Sequence, residues 1–381
     1  MERVKLGVIG CGVVAVRDIL PNLTQPQFAN KVELVALCDV VEQRAEKAKQ
    51  LFNAKEAYGD YREMLKEAHI NAVAILTPIN THYSIAMDAA RADKHIYVQK
   101  SMATSLKEAN ELLSTVKKRG LKLVASPGQM HNPSLRMAKK LLDEGLIGKP
   151  LWGYIITSSS GHLYEPTDPS WYYKPGGGPL YSFLVYYVTT FCWMLGSVKR
   201  VAAFSGIAIP TRRWRRKKIK NEMDDSTMMV MDFGNTIFVS AISNFCAKGV
   251  FSESAIYGKK GAIKIPLAAF RSTQYSASQV ALYNLLRAIK SKTQSLKGKQ
   301  KGWIEWTPPL FKAPHSLAAP SGAHIIADIL EFIDCVINDK EPVIATGERA
   351  RHVVEVFEKA YTSARTGRAQ TLETTFGGEP S

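Results

Sequence analysis

Cysteine is scarce in this chain, and none of it falls in a pattern that puts thiols to work. The five, Cys11, Cys38, Cys192, Cys246 and Cys335, are widely spaced, odd in number and without a Cys-x-x-Cys pair. That excludes a disulfide scaffold and predicts reduced, mostly buried thiols. No cluster of His, Cys, Asp or Glu has metal-ligand spacing, so no metal is expected. The opening MERVKLGVIG lacks the basic region, apolar stretch and cleavage site of a secretory signal, which makes the expected location cytoplasmic. One long uncharged run, Pro175 to Val198, starts with three glycines and Pro179. It leaves a helix of about 17 residues, interrupted by Ser, Thr and Tyr, at the short limit for a bilayer; a buried helix and no membrane partner are expected. Acidic residues are also few, 34 against 50 Lys and Arg, for a net charge of +16. Part of that excess lies at 212–218, Arg-Arg-Trp-Arg-Arg-Lys-Lys. No recognition motif accompanies the run, so nucleic acid is disfavoured and a solvated basic loop is expected; a phosphorylated or nucleotide-linked substrate is the alternative.

What is present is an ordinary globular composition, 46% hydrophobic and 22% charged over 381 residues, enough for two domains. In residues 1–126 short apolar runs (Val4 to Ile9, Val32 to Cys38, Ala72 to Leu76, His95 to Val98, Lys122 to Ala125) alternate with helical patterns at Arg44 to Phe52, Tyr61 to Lys66, Ser84 to Arg91 and Leu106 to Lys118. Such alternation predicts an α/β, Rossmann-type doubly wound parallel sheet. From Leu151 the runs lengthen: Trp152 to Ser158, Val201 to Ile209, Thr227 to Asp232, Ile237 to Asn244 and Ser254 to Tyr257. Gly234-Asn235 reads as a two-residue hairpin loop and Gly258 to Gly261 as a second reversal. Residues 127–381 are therefore expected to form an α+β domain with a mainly antiparallel open sheet, an insertion at about 267–320, and closing helices at Ala323 to Ile337 and Glu348 to Arg365.

Gly10-Cys11-Gly12-Val13-Val14-Ala15 directly follows the first strand and precedes a helical segment, the context in which a glycine-rich turn binds a dinucleotide. Gly10 allows the tight turn, Gly12 lets the backbone approach a pyrophosphate, and Ala15 permits close helix packing. The helix amino-terminus faces the phosphates with free N–H groups. Asp39, at the end of the second strand, accepts from the adenosine ribose hydroxyls and would repel a 2′-phosphate, so NAD is expected over NADP. Its long spacing from Gly10 is assigned to a loop around Pro21 to Pro26.

Two later stretches, Thr77-Pro78-Ile79-Asn80-Thr81-His82 and Val98-Gln99-Lys100-Ser101-Met102-Ala103, resemble the glucose-fructose oxidoreductase, inositol dehydrogenase and MocA family (Gfo/Idh/MocA). Gly176 to Ser182, Gly145 to Gly148 and Ser363 to Gly367 extend the likeness over most of the chain outside the insertion. The resemblance implies that Thr77, Pro78, Asn80, His82, Gln99 and Lys100 contact the cofactor and that Lys100 also faces the substrate, although Gln99 and Ser101 replace the family's Glu and Pro. Where the family commonly carries an Asp and, four residues on, a His, this chain has Ser182 and Tyr186. One helical turn separates them, so they share a face. Tyr186 is expected to pass the hydroxyl proton with its phenol pKa lowered by the Lys100 ammonium, Lys100 to stabilise the oxyanion, and Ser182 to bind the same oxygen or a neighbouring hydroxyl. The alternative for Tyr186 is a place in the packed aromatic stripe of Tyr181, Phe183, Tyr187, Phe191 and Trp193. His131, His162, Asp168 and Tyr172 are the substrate-binding candidates. The implied activity is hydride transfer between nicotinamide and a sugar, sugar derivative or cyclitol; the broad antiparallel sheet, with one face uncovered, makes a homodimer or homotetramer the expected assembly. Rivals are an eliminase that oxidises the sugar transiently and a non-catalytic dinucleotide sensor.

Overall fold

The computed structural model describes residues 3–247, 251–265, 304–306 and 323–377. Most of the expected insertion at 267–320 lies outside them. The amino-terminal sheet has the order β3-β2-β1-β4-β5-β6, built from Val4–Ile9 (β1), Val32–Cys38 (β2), Glu56–Tyr58 (β3), Ala72–Ile75 (β4), His95–Val98 (β5) and Leu123–Ala125 (β6). Every pairing in it is parallel. The doubly wound expectation holds, with reversal of strand order beside β1, where such sheets bind ligands. The helices are α1 (Leu20–Leu23), α2 (Glu42–Phe52), α3 (Tyr61–Glu67), α4 (His82–Arg91) and α5 (Leu106–Lys118). Three take side-chain or glycine-free stops that the local sequence supplies: Asp60 and Ser105 accept from the first-turn N–H groups of α3 and α5, and Asn53 ends α2 in the left-handed region. Pro21 lies inside α1 instead of a loop, because its missing N–H costs nothing in a first turn. The extra length before β2 is therefore partly helical.

After α6 (Pro133–Asp143) comes the second sheet, β7 (Pro150–Ser158), α7 (Val185–Leu195), β8 (Arg200–Gly206), β9 (Thr211–Trp214), β10 (Lys217–Lys220), β11 (Ser226–Asp232), β12 (Phe238–Asn244), β13 (Phe251–Gly258), β14 (Gly261–Lys264), β15 (Ile304–Trp306) and β16 (Gln370–Thr371). Eight of these strands order as β15-β14-β13-β7-β12-β11-β8-β16. The sheet is mainly antiparallel as expected, with parallel pairings only of β7 with β12 and β14 with β15 among the described residues. The reversal at β11–β12 also shifts by one residue. Ile237 donates to the Gly234 carbonyl at 2.9 Å and the turn's central pair is Asn235-Thr236, at φ 51° and 64°, which matches the twist of the strands as primed turns do.

The basic run 212–218 is not a free loop. It forms a separate two-stranded hairpin, β9–β10, whose Arg212 is buried against the fully buried Asp225, Nη2 to Oδ2 2.8 Å. Within Pro175 to Val198 the helical part, Leu180 to Leu195, is buried as expected, and among the described residues no helix is long and apolar enough to cross a membrane. The five thiols are free, four of them buried and Cys246 exposed.

Two closing helices tie the sheets together. α8 (Ala323–Asn338) returns to the first sheet, where Ile325, Ile329, Phe332 and Ile333 pack with Leu6, Val8, Leu20, Tyr97 and Val124. α9 (Gly347–Thr366) splits its apolar face: Ala350 and Val354 enter the first domain's core, while Val353, Val356, Phe357 and Ala360 enter the second's. A period near 3.6 lets one helix serve both sides. The seam between the domains is thus packed, and the loops after β4 and β5 reach it at Asn80 and Lys100.

Candidate functional site

The dinucleotide loop is shaped by what its glycines lack. Gly10 has φ +98°, and a Cβ there would meet the Leu76 carbonyl carbon and oxygen at 2.9 Å, so the turn after β1 presses against the end of β4. A Cβ on Gly12 would meet nothing within 4 Å. This open concavity is where a pyrophosphate fits. Val13 and Val14 are half-buried along its wall, and the chain continues as a wide π-helical turn, Val14–Ile19, with Ala15 fully buried beneath. Asp39 accepts from the Cys11 N–H with Oδ2 and from the Val41 N–H with Oδ1, both at 2.9 Å. Each carboxylate oxygen keeps a second lone pair for a ribose hydroxyl. Its own N–H is held by Tyr58 of β3, a strand that sequence reasoning missed. Arg44 stands 3.8 Å from Oδ1. Burial, helped by Asp39, pushes the Cys11 thiol up to about 12, so it is inert beside the loop. This set fits a dinucleotide.

The nicotinamide-side residues divide differently from expectation. Thr77 Oγ1 accepts from Thr81, Pro78 caps the 3₁₀ turn Ile79–Thr81, and Asn80 abuts the second domain's Gly176, whose absent Cβ would lie 3.5 Å from that of Asn80. His82, expected beside the cofactor, is buried. Its Nδ1 lies 2.7 Å from the Ser101 carbonyl and its Nε2 2.8 Å from that of Thr77, so the imidazole fastens the loops after β4 and β5 to each other and offers neither nitrogen outward. Burial lowers its pKa. Gln99 is likewise turned in, donating to Tyr97 Oη at 2.8 Å.

Lys100, Ser182 and Tyr186 do come together. Lys100 lies two residues past β5 and its peptide to Ser101 is cis. Its Nζ donates to the Ser182 carbonyl at 3.4 Å and lies 5.4 Å from the centroid of the Tyr186 ring. Burial draws this ammonium from 10.5 down to about 8, with Glu165 pulling it partly back. Ser182 and Tyr186 sit one turn apart where the π-helical segment Leu180–Leu184 runs into α7. The Ser182 hydroxyl is buried with no hydrogen-bond partner among the described residues. The lowered phenol expected of Tyr186 is not found: burial first, then Asp328, Asp18 and Tyr164, push its pKa up, and the opposing cation is Arg17, not Lys100. Tyr186 also packs in the second domain's core, so it is both stripe and site.

Of the four substrate-binding candidates, the structure gathers two. His162 stacks on Tyr172 at 3.5 Å between centroids and on Phe183 at 5.1 Å, is buried, and has Glu165 Oε1 3.5 Å from Nδ1. Burial, then the Lys100 charge, brings it down to about 4 against the pull of Glu165, so it is a neutral imidazole. The other two are placed elsewhere. His131 pairs with Glu331 at 3.1 Å, a carboxylate that also collects the Val343, Ile344 and Ala345 N–H groups. Asp168 is exposed, caps Ser170 and pairs with Lys217, which holds it down to about 2.

Sequence reasoning missed three supporting residues. Gln129 Nε2 donates to the Tyr186 carbonyl and, at 2.9 Å, to Thr190 Oγ1, fixing the start of α7. Asp328 on α8 accepts from Ser126 Oγ at 2.5 Å and the Gly128 N–H at 3.0 Å, and burial raises it to about 7. Gly128 is required there, since a Cβ would lie 2.0 Å from Asp328 Oδ1. One signal was legible: a lone Asp on the otherwise apolar stripe of Ile325, Ile329 and Phe332. Glu165, the carboxylate felt by Lys100, His162 and Arg17, carried no local signal.

Residues 4–127 match the oxidoreductase family's NAD-binding Rossmann fold and residues 135–264 the GFO/IDH/MocA C-terminal domain. An inositol 2-dehydrogenase/D-chiro-inositol 3-dehydrogenase of Lactiplantibacillus plantarum is 25% identical over 276 residues, 72% of this chain and 74% of that protein. A levoglucosan dehydrogenase of Pseudarthrobacter phenanthrenivorans is 24% identical over 287 residues, 69% of this chain and 73% of its own. Among solved structures, the WlbA dehydrogenase from Bordetella pertussis in complex with NADH and UDP-GlcNAcA superposes with TM-score 0.74 at 19% identity, covering 98% of this chain and 99% of that one. Myo-inositol 2-dehydrogenase from Lactobacillus plantarum gives 0.73 at 16% identity, covering 98% and 100%. With both its Rossmann domain and its second domain matched, the chain belongs to the Gfo/Idh/MocA family of NAD-binding oxidoreductases.

Proposed function

We propose that the protein is an NAD-dependent dehydrogenase or reductase of a sugar, sugar derivative or cyclitol. The observation that carries this reading is the position of Lys100 Nζ, between the Ser182 carbonyl and the Tyr186 ring on the same sheet edge as Gly12 and Asp39. NAD, when bound, supplies the hydride acceptor. Lys100, with a pKa of about 8, changes protonation near working pH and is the group that takes the carbinol proton in oxidation or returns it in reduction. The phenol of Tyr186, held protonated by burial, donates a hydrogen bond and does not carry the proton. The unpartnered Ser182 hydroxyl binds a neighbouring substrate oxygen, and neutral His162, stacked on Tyr172, lines the next position. A polyol is favoured by the names of the relatives, which act on inositols and levoglucosan.

The test is to incubate the protein with NAD and a panel of sugars, cyclitols and sugar derivatives and follow NADH. Stoichiometric NADH that collapses in Lys100→Met is expected. Aglycone release without NADH would replace this reading by the eliminase, and NAD binding without any turnover would leave a sensor. We also read the protein as a cytoplasmic homo-oligomer that buries the sheet face carrying Trp152, Phe204, Met228 and Val230, all exposed in the single chain; a monomer by light scattering would overturn that.

A further inference from the structure

The β9–β10 hairpin carries more positive charge than its fold requires. Its inner face packs with Arg212, Trp214 and Ile219, and Arg212 is consumed there by Asp225 and by the Phe245 carbonyl at 2.9 Å. Lys217 pairs with Asp168, and Lys220 lies 4.0 Å from Glu222. Arg213, Arg215, Arg216 and Lys218 are exposed, and among the described residues none has a carboxylate within ion-pair distance. Arg213 and Lys218 are moreover directly opposite each other in the antiparallel register. Like charges opposed across a strand pair repel, and an anion between them relieves the repulsion.

The hairpin is fastened to the segment that lines the site. Trp214 Nε1 donates to the Glu165 carbonyl at 3.0 Å and Arg215 Nη2 to the Pro166 carbonyl at 2.9 Å, while the Glu165 side chain faces His162 and is felt by Lys100. Across the seam, Arg17 on the dinucleotide side is exposed and senses Glu165 and Tyr164. The hairpin turn is therefore held against the 165–166 segment whose Glu165 side chain faces His162, with Arg213 and Lys218 on the hairpin face opposite Arg212 and Trp214.

Resting on the reading of the protein as a sugar or cyclitol dehydrogenase, we propose that this hairpin is the subsite for a phosphate carried by the substrate, a sugar phosphate or a nucleotide-linked sugar whose ring lies at Lys100, Ser182 and His162. Guanidinium forks at Arg213, Arg215 and Arg216 match phosphate oxygens in pairs, and Lys218 adds a point charge. A neutral sugar leaves the hairpin unused.

The experiment measures kcat/KM and, by calorimetry with NAD present, Kd for glucose, glucose 1-phosphate and uridine diphosphate glucose in wild type and in the exposed triple variant Arg213→Ser/Arg216→Ser/Lys218→Ser. Tighter binding of a phosphorylated probe than of glucose, reduced about tenfold or more by the triple variant and by 0.5 M salt, is expected; the monophosphate against the nucleotide-linked probe tells which kind of tag is read. Equal affinity for glucose and both phosphorylated probes, or a triple variant indistinguishable from wild type, overturns the proposal even if NADH is formed. Selective probe binding without NADH would retain the anion subsite and sink the dehydrogenase reading instead. Salt-sensitive binding of an oligonucleotide that does not compete with either phosphorylated probe, together with no probe preference, would reassign the hairpin to nucleic acid.

Discussion

Replacing Lys100 by Met should stabilise the protein while abolishing its activity. Burial takes the ammonium from 10.5 to about 8, a gap that at about 1.4 kcal/mol per unit corresponds to on the order of 3 kcal/mol, an upper figure since the residue keeps some contact with water. The sign follows from proton counting. Between about 8 and 10.5 the unfolded chain binds a proton at Lys100 that the folded chain has released, so stability rises with pH across that window and the penalty is full below it. Methionine keeps the length and removes the charge, so Lys100→Met should gain on the order of 1–3 kcal/mol in urea unfolding at pH 7, and the gain should vanish towards pH 10.5. Oxidation should fall about 10²- to 10⁴-fold, and wild-type kcat/KM for oxidation should rise with one proton through about pH 8. A variant no more stable than wild type at pH 7, or a pH–rate profile flat across 7–9, would refute the claim that a desolvated lysine runs the proton transfer.

Further outcomes follow from the same geometry. Gly12→Ala meets no atom within 4 Å and should change stability by less than about 0.5 kcal/mol, yet weaken NAD about tenfold or more by filling the pyrophosphate space, as titration calorimetry would read. Gly10→Ala, at φ +98° and 2.9 Å from the Leu76 carbonyl, should instead lose about 1–3 kcal/mol in urea unfolding. Asp39→Ala should weaken NAD about tenfold and narrow its advantage over NADP, because Arg44 at 3.8 Å is freed for a 2′-phosphate. Arg212→Ala leaves Asp225 buried without its cation and should cost about 3–5 kcal/mol, the loss shrinking if Asp225 is also changed to Asn.

Local features of the site were legible in the chain itself. The turn at Gly10, the open approach at Gly12 and the carboxylate of Asp39 follow from backbone sterics and a strand-to-helix junction, which act over a few residues. The spacing of Ser182 and Tyr186 was readable because one helical turn puts them on one face, and the resemblance to the Gfo/Idh/MocA family joined them to Lys100. The charge of 212–218 was visible, but not that alternate residues of a hairpin would send Arg212 inward to Asp225 and leave Arg213 opposite Lys218.

The residues read less well are those whose meaning depends on a distant partner. His82 and Gln99 sit in the right motifs but turn to Ser101, Thr77 and Tyr97; His131 and Asp168 are spent on Glu331 and Lys217. Tyr186 and Lys100 are neighbours, yet burial raises the one and lowers the other, which is why the proposed proton carrier is the lysine. Sequence by itself determined the two sheets and the glycine turn after β1, because strand period and glycine conformation are short-range, while the family came from the resemblance of the stretches at 77–82 and 98–103. Only the tertiary structure decided which titratable groups share a dry seam, because desolvation, and partners such as Asp328 on a returning helix, are set by packing between segments far apart in the chain.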